Sequence, residues 1–407
     1  MRTLLLILIL FTVACKPTKV SQTKDHSFDN LLRSNPELQK FISAKDSLNI
    51  QIIYTKIDRD KNNKPVFTDH TFNTDPNKYF YPASTVKMPG AFLALEKLNE
   101  LNSYGINMNS YMQTDSSYVG QSKVPHTSKA TIARYIKEIF LVSDNEAFNR
   151  LYEFLGQEYI NHKVQQKGLD HSIIRHRLAV NMTDEQHRNT NPVSFYDSNG
   201  KLLYSQPARY SKLNFSERTI KLGKGFYRSG KLVNEPFDFS LKNNVALLDL
   251  HNMLRSVIFH DHIKPSQRFN HSQADRKFLL HWMSALPKES KDPTYDTAEF
   301  YDNFAKFLPR SIMQNEDVRV FSKAGWAYGF LTDIAYIVDF KNNIEFMLSA
   351  TILCNSDGLF NDDKYDFETT GYPFMKLLGE TIYQVELQRK RSRKPNLSEF
   401  KIDYTIR

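Results

Sequence analysis

The sequence predicts an α+β fold: an antiparallel sheet flanked by terminal helices, with an all-helical subdomain inserted between its second and third strands. Three observations predict it. Strand patterns crowd toward both ends of the 407-residue chain, apolar helical periodicity fills the middle, and polar turns join neighbouring strands at each end. At 41% hydrophobic and 24% charged residues, with only 14 glycines, the chain has the composition of a globular protein with a full core.

Taken in order, Arg2, the apolar run Leu4 to Val13 and Ala14-Cys15 have the form of an export signal too short to anchor as a span. Small residues directly before Cys15 resemble a bacterial lipoprotein signal, which implies lipidation of Cys15 and a flexible tether over residues 16–27. The expected location is the bacterial cell envelope, on the periplasmic side or the cell surface. The main domain is expected over 28–387, with its sheet part in 28–72 and 316–387 and a mainly helical part in 73–315.

Phe28, Leu31, Leu32, Leu38, Phe41 and Ile42 give a helical pattern that leads to a strand at Ile50 to Tyr54. The polar turn Asp58 to Asn63 leads to a second strand near Pro65 to Phe72. An alanine- and leucine-rich run after Ser84 reads as a buried helix, and Ser128 as the cap of a helix through Val142. Another helix runs from Glu146 to a stop at Gly156, followed by a mostly irregular stretch to 195 and a basic, aromatic insertion near 195–239. Helices are expected at Asn244 to Phe259, Gln273 to Leu286 and Pro373 to Leu387, and strands at Val318 to Lys323, Phe330 to Phe340 and Ile344 to Leu353. Lys341-Asn342-Asn343 forms the last hairpin turn. Arg389, Lys390, Arg391, Arg393 and Lys394 supply part of the +9 charge and read as a solvated basic tail over 388–407.

The chemistry is concentrated in three places. Ser84 and Lys87 lie three apart at the start of a buried helix, so hydroxyl and amine share a face and a desolvated amine can take the hydroxyl proton. Ser21/Lys24, Ser198/Lys201 and Ser398/Lys401 have the same spacing without a buried helix behind them. Ser143-Asp144-Asn145 follows 59 residues after Ser84 in a turn between helices, and Lys323-Ala324-Gly325 ends a strand pattern. In this order and on these elements the three resemble the serine β-lactamase and penicillin-binding-protein superfamily, closest to the class A lactamases. Leu279-Leu280-His281-Trp282-Met283, Arg188-Asn189-Thr190-Asn191-Pro192 and Thr332-Asp333-Ile334-Ala335 extend the resemblance over about residues 28–387.

The resemblance implies a β-lactamase/transpeptidase-like fold and a serine hydrolase that forms an acyl-enzyme on Ser84. Lys87 would accept the proton, Ser143 would pass one to the departing nitrogen, and Asn145 would hold Lys87 and the substrate's amide. Lys323 would meet the substrate carboxylate, and Gly325 and Trp326 would lie along the substrate, the backbone N–H groups of Ser84 and Trp326 forming an oxyanion hole.

Two positions depart from the family pattern. Ala324 has no hydroxyl where the family carries Thr or Ser, and no glutamate lies between Glu158 and Glu185, where class A enzymes carry the deacylating base. Asp170 is the only acid there before Asp184. The expected activity is slow hydrolysis of β-lactam amide bonds. The alternatives are a D-alanyl-D-alanine peptidase or transpeptidase, or another acyl hydrolase, acting on cell-wall peptide, and, from another class, a non-catalytic penicillin-binding cell-wall sensor. The expected partners are a β-lactam or peptidoglycan stem peptide and, through the lipid, a membrane. A monomer with no nucleic-acid partner is expected.

No cofactor is expected, and no metal. His260-Asp261-His262 is the densest histidine group and reads as a solvent-facing helix end. Cys354 is the only cysteine besides Cys15, so no disulfide framework exists.

Overall fold

The computed structural model describes residues 26–115, 129–296, 298–300, 305–309, 312 and 317–404. The export signal, Cys15, the pair Ser21/Lys24 and the Ser128 cap lie outside these residues. Among the described residues, the α-helices of eight or more residues are α1 (His26–Arg33), α2 (Pro36–Ser43), α3 (Lys87–Glu100), α4 (Ile132–Val142), α5 (Asn145–Leu155), α6 (Gln157–Gln166), α7 (Leu247–Ile258), α8 (Gln273–Ser284) and α9 (Tyr372–Gln388). The main sheet contains β1 (Gln51–Arg59), β2 (Pro65–Phe72), β3 (Val318–Ala327), β4 (Phe330–Asp339) and β5 (Ile344–Leu353). Its order is β3-β4-β5-β1-β2, every neighbouring pair antiparallel.

The central strands carry near-continuous apolar runs because both of their faces are covered. Ile337, Phe346 and Leu348 pack beneath Phe28, Leu38, Phe374 and Ile382 of the terminal helices. Ile334, Tyr336 and Met347 face the other core, which contains Phe92, Phe148 and Leu254 of the helical body. This is the α+β architecture expected, with residues 73–317 inserted between β2 and β3. At the far hairpin Asn343 takes φ 55°, and Asn342 N donates to Asp339 Oδ1 (2.9 Å).

Several elements differ from the sequence reading. The single helical pattern after Phe28 is two helices, because Pro36 cannot continue α1 and Asn35 caps α2, its Oδ1 accepting from the N–H groups of Glu37 and Leu38. α4 begins at Ile132, where Thr131 accepts from Arg134 N. The stretch after Gly156 is not all irregular: Gly156 ends α5 and, at φ 76°, immediately starts α6, whose Ile160 and Val164 are buried one turn apart.

Within the insertion, short strands form. Val193–Tyr196 pairs with Tyr111–Thr114 and Leu202–Gln206, while Gly225–Arg228 pairs with Lys231–Val233 and runs parallel to Leu359–Phe360. The basic run after α9 is in part fastened to the body. Arg389 binds Asp58, Arg391 binds the fully buried Glu386, and Leu397 and Phe400 are buried in the helical-side core. Among the described residues, no helix is long and apolar enough to cross a membrane.

Candidate active site

Ser84 sits in a short helical turn, Ala83–Val86, that feeds directly into α3. Ala83 before it has φ 47°, a left-handed conformation that costs a non-glycine residue roughly 1 kcal/mol or more. The turn is held by Pro82, whose carbonyl accepts from Thr85 N (3.0 Å) and Thr85 Oγ1 (2.7 Å). Lys87 is fully buried at the head of α3, and its Nζ lies 2.9 Å from Ser84 Oγ. The helical spacing seen in the sequence thus becomes a direct contact.

The second motif closes on the same amine. α4 ends in Ser143, left-handed at φ 57°, and Asp144 caps α5 through Ala147 N (2.7 Å). Both Ser143 polar atoms then face Lys87: the carbonyl accepts from Nζ, and Oγ lies 3.2 Å from it. The third motif arrives on β3, an edge strand, where Lys323 Nζ lies 2.9 Å from Ser143 Oγ and 2.7 Å from its neighbour's carbonyl, Ala324 O. One hydroxyl therefore bridges two buried lysines.

Gly325 is required by the closeness of β3 to the serine turn. A Cβ at that position would lie 2.7 Å from Ser84 N and 2.8 Å from Thr85 N. Trp326 follows, half-buried, with the Lys306 ammonium 4.8 Å from its ring centroid and 4.7 Å from that of Tyr372. Asn145 is not drawn to Lys87. It starts α5 exposed, with no hydrogen bond from its side chain among the described residues, and the Ser143 carbonyl takes the place beside the amine.

Burial drives the Lys87 amine well below the usual lysine range, the Lys323 charge lowers it further, and Asp144 opposes both. Lys323 is lowered to about 7, chiefly by burial, with Asp333 opposing and Lys306 assisting. Asp333, paired across the strands with Ala324, is pushed up to about 6 by burial; its Oδ2 accepts from Lys306 N (2.6 Å) and its Oδ1 has no partner among the described residues. A cavity of about 40 Å³ lined by Lys323, Ala324, Ser284 and Leu286 lies beside the strand.

The loop after the second motif brings no carboxylate to this cluster. Glu153 on α5 is fully buried and gripped by Arg177 (3.0 and 2.8 Å), with its other oxygen accepting from Asn191 N (2.7 Å). Asp184 pairs with Arg175 (2.7 Å), and the exposed Glu185 accepts from Tyr210 Oη (3.3 Å). The loop residue that approaches the serine turn is His176, stacked on Tyr81 with rings 6.2 Å apart and 6° from parallel. Sequence reasoning passed over it; its signal was Tyr81, an aromatic residue three before Ser84.

The other Ser-x-x-Lys pairs within the described residues, Ser198/Lys201 and Ser398/Lys401, are exposed. Among the described residues no three metal-ligating side chains cluster, and His260 bonds the Phe269 carbonyl (3.1 Å). A larger groove of about 900 Å³ between α4, α8 and residues 398–403 holds none of the motif residues.

Residues 35–212, which carry the first two motifs, match the model of the beta-lactamase enzyme family. Among solved structures, PBP-A is 14% identical over 88% of this chain and 95% of that one, with a TM-score of 0.49. A β-lactamase from Xanthomonas campestris pv. campestris is 14% identical over 88% and 97%, with a TM-score of 0.47. A PBP-A variant, solved as an acyl-enzyme complex with penicillin G, is 15% identical over 88% and 96%, at a TM-score of 0.46. No curated protein matches. The matched segment, with Ser84, Lys87 and Ser143 gathered as described, is thus similar to the beta-lactamase enzyme family over residues 35–212.

Proposed function

We propose that the protein opens β-lactam amide bonds through an acyl-enzyme on Ser84 and releases the product slowly. The observation that carries this reading is the buried Lys87 amine, depressed by desolvation, 2.9 Å from the Ser84 hydroxyl. A neutral amine there takes the serine proton as Oγ attacks the carbonyl. Ser143 Oγ, within reach of both lysines, passes a proton to the departing nitrogen, and Lys323 attracts the substrate carboxylate while it remains charged. The backbone N–H groups of Ser84 and Trp326 would bind the developing oxyanion, a contribution of roughly 3 kcal/mol per donor. Gly325 lets the strand lie along the substrate, and Asn145 at the rim is available to a substrate amide.

Slow release follows from the paired state of Glu153 and Asp184 and the outward position of Glu185. This observation equally favours a second reading, a D-alanyl-D-alanine peptidase or transpeptidase on cell-wall stems, in which an amine rather than water accepts the acyl group. The test is to incubate the protein with benzylpenicillin and follow adduct mass over time beside Ser84→Ala. A Ser84-dependent adduct that decays over minutes supports the first reading, and one that persists but is discharged by a D-amino acid supports the second. A protein that forms no such adduct and hydrolyses neither β-lactams nor D-Ala-D-Ala peptides is neither. We further propose that Cys15 carries a lipid that holds the domain at the envelope, for which mass analysis of the mature N-terminus is the check.

A further inference from the structure

The groove between α4, α8 and residues 398–403 is built from surfaces that the motif cluster does not use. Gln273, Arg276, Lys277, Leu280 and His281 line it at spacings of three and four, so one whole face of α8 is turned into it. Ala133 and Lys137, one turn apart on α4, form a second wall. The third is the end of the chain, where Phe400 is buried in the helical-side core while Ser398, Glu399 and Lys401 stay exposed around it. Tyr404 fastens that segment to α8: its Oη lies 2.7 Å from Ser284 Oγ, and its ring 5.1 Å from that of His281. The pair Ser398/Lys401, absent from the motif cluster, thus belongs to a cavity of about 900 Å³.

The lining joins apolar and cationic side chains. Phe278 and Trp282, one helical turn apart with rings 6.2 Å apart, are only half-buried, as are Met108 and Ile402. A helix ordinarily buries such side chains against a neighbour, whereas these border an open groove whose volume is that of a small-molecule site. Lys137, Arg276, Lys277 and Lys401 line the same groove, against two carboxylates, Glu399 and Asp403. Lys137 holds its ammonium 4.6 Å from the Trp282 ring centroid and donates to the Asp292 carbonyl (3.1 Å), and Arg276 pairs with Asp261 (2.9 Å). Lys277 and Lys401 are exposed and form no ion pair among the described residues.

We propose that this groove binds a monoacyl anion, a fatty acid in the simplest case, with its chain along the Phe278 and Trp282 side of α8 and its acidic head met by Lys277 and Lys401. An acyl chain suits the site because Met108 is unbranched and adaptable, and because Gln273 to Trp282 covers about 14 Å of α8, room for an extended chain of about ten carbons. An anionic head suits it because the lining carries four cations against two carboxylates. The proposal is independent of the chemistry at Ser84, since no motif residue lines the groove. It gives the end of the chain a use, as one wall of a second ligand site.

The probe is decanoate, kept below its micelle concentration. Calorimetry should show one saturable site per chain, with octanoate about tenfold weaker for its two missing methylenes and decyltrimethylammonium weaker than decanoate. In a Trp326→Phe background Trp282 is the only tryptophan, and its emission should shift as decanoate saturates the site. The double variant Lys277→Glu/Lys401→Glu, at two exposed positions, should weaken decanoate by about tenfold and strengthen decyltrimethylammonium. The melting temperature of the ligand-free double variant should match that of the native protein. Absence of saturable decanoate binding, an unmoved Trp282 emission, or equal decanoate affinity in the native protein and the double variant overturns the site. Binding to phosphatidylglycerol vesicles without binding of monomeric decanoate overturns it too, in favour of a membrane-facing surface.

Discussion

Buried cations meet different partners in two neighbouring regions of this molecule. In the motif cluster, Lys87 and Lys323 are surrounded by Ser84 and Ser143 hydroxyls and by backbone carbonyls, with no direct carboxylate partner among the described residues. In the loop after the second motif, Arg177 and Arg175 grip Glu153 and Asp184. Desolvation without a counter-charge drives an amine toward neutrality, whereas a guanidinium that grips a carboxylate with directed hydrogen bonds fixes the segments that carry them. The first region is prepared for proton transfer, and the second for holding a loop in place.

The largest effect should come from removing the desolvated Lys87 amine. Lys87→Met should slow Ser84 acylation by about 100- to 10,000-fold, read from the time course of adduct mass. Its melting temperature should not fall, because an apolar side chain replaces an amine that is costly to bury. Unchanged acylation would break the contrast between the regions. In the loop, Glu153→Gln removes the carboxylate that meets the buried Arg177 and should cost about 3–5 kcal/mol in denaturant unfolding, with amide protection lost first across residues 167–191. A loss below about 1 kcal/mol would mean that the pair does not hold the loop.

Gly325→Ala places a methyl against the Ser84 and Thr85 N–H groups. It should cost about 1–3 kcal/mol through overpacking, and should slow acylation more than it weakens reversible β-lactam binding. The pH profile offers a finer test. Acylation requires Lys87 neutral and so rises with pH through that group's lowered pKa; it requires Lys323 charged and so falls above about 7. Lys323→Arg should extend the plateau to higher pH, since guanidinium keeps its proton.

Stability moves in a matching direction. Both lysines bind protons less readily when folded than when unfolded, so between the two values stability rises with pH, and Lys87→Met should flatten part of that slope. The smallest effect is expected from Ala324→Thr. Its extra atoms have a neighbouring cavity to enter, and a hydroxyl there should strengthen β-lactam recognition by about 1 kcal/mol, seen as a lower KM.

Much of this was legible in the residues themselves. The strand runs at 330–339 and 344–353 declared themselves because strands buried on both faces must be apolar throughout. Ser84 and Lys87 could be paired on paper because helix geometry alone brings positions three apart together. The polar α6 was not legible, since its buried face carries only two apolar side chains, Ile160 and Val164, beside the amides Gln157 and Asn161. The basic run also misled: Arg389 and Arg391 look solvated until Asp58 and a buried Glu386 are placed beside them.

The sequence by itself determined the order of elements, the pairing of Ser84 with Lys87, and the lack of a glutamate in the loop. Only the tertiary structure decided that one Ser143 hydroxyl bridges two lysines and that Asn145 stands apart from them. The reason is physical. Periodicity and capping act between residues a few positions apart, whereas desolvation and charge pairing depend on which distant segments the packed core brings into contact.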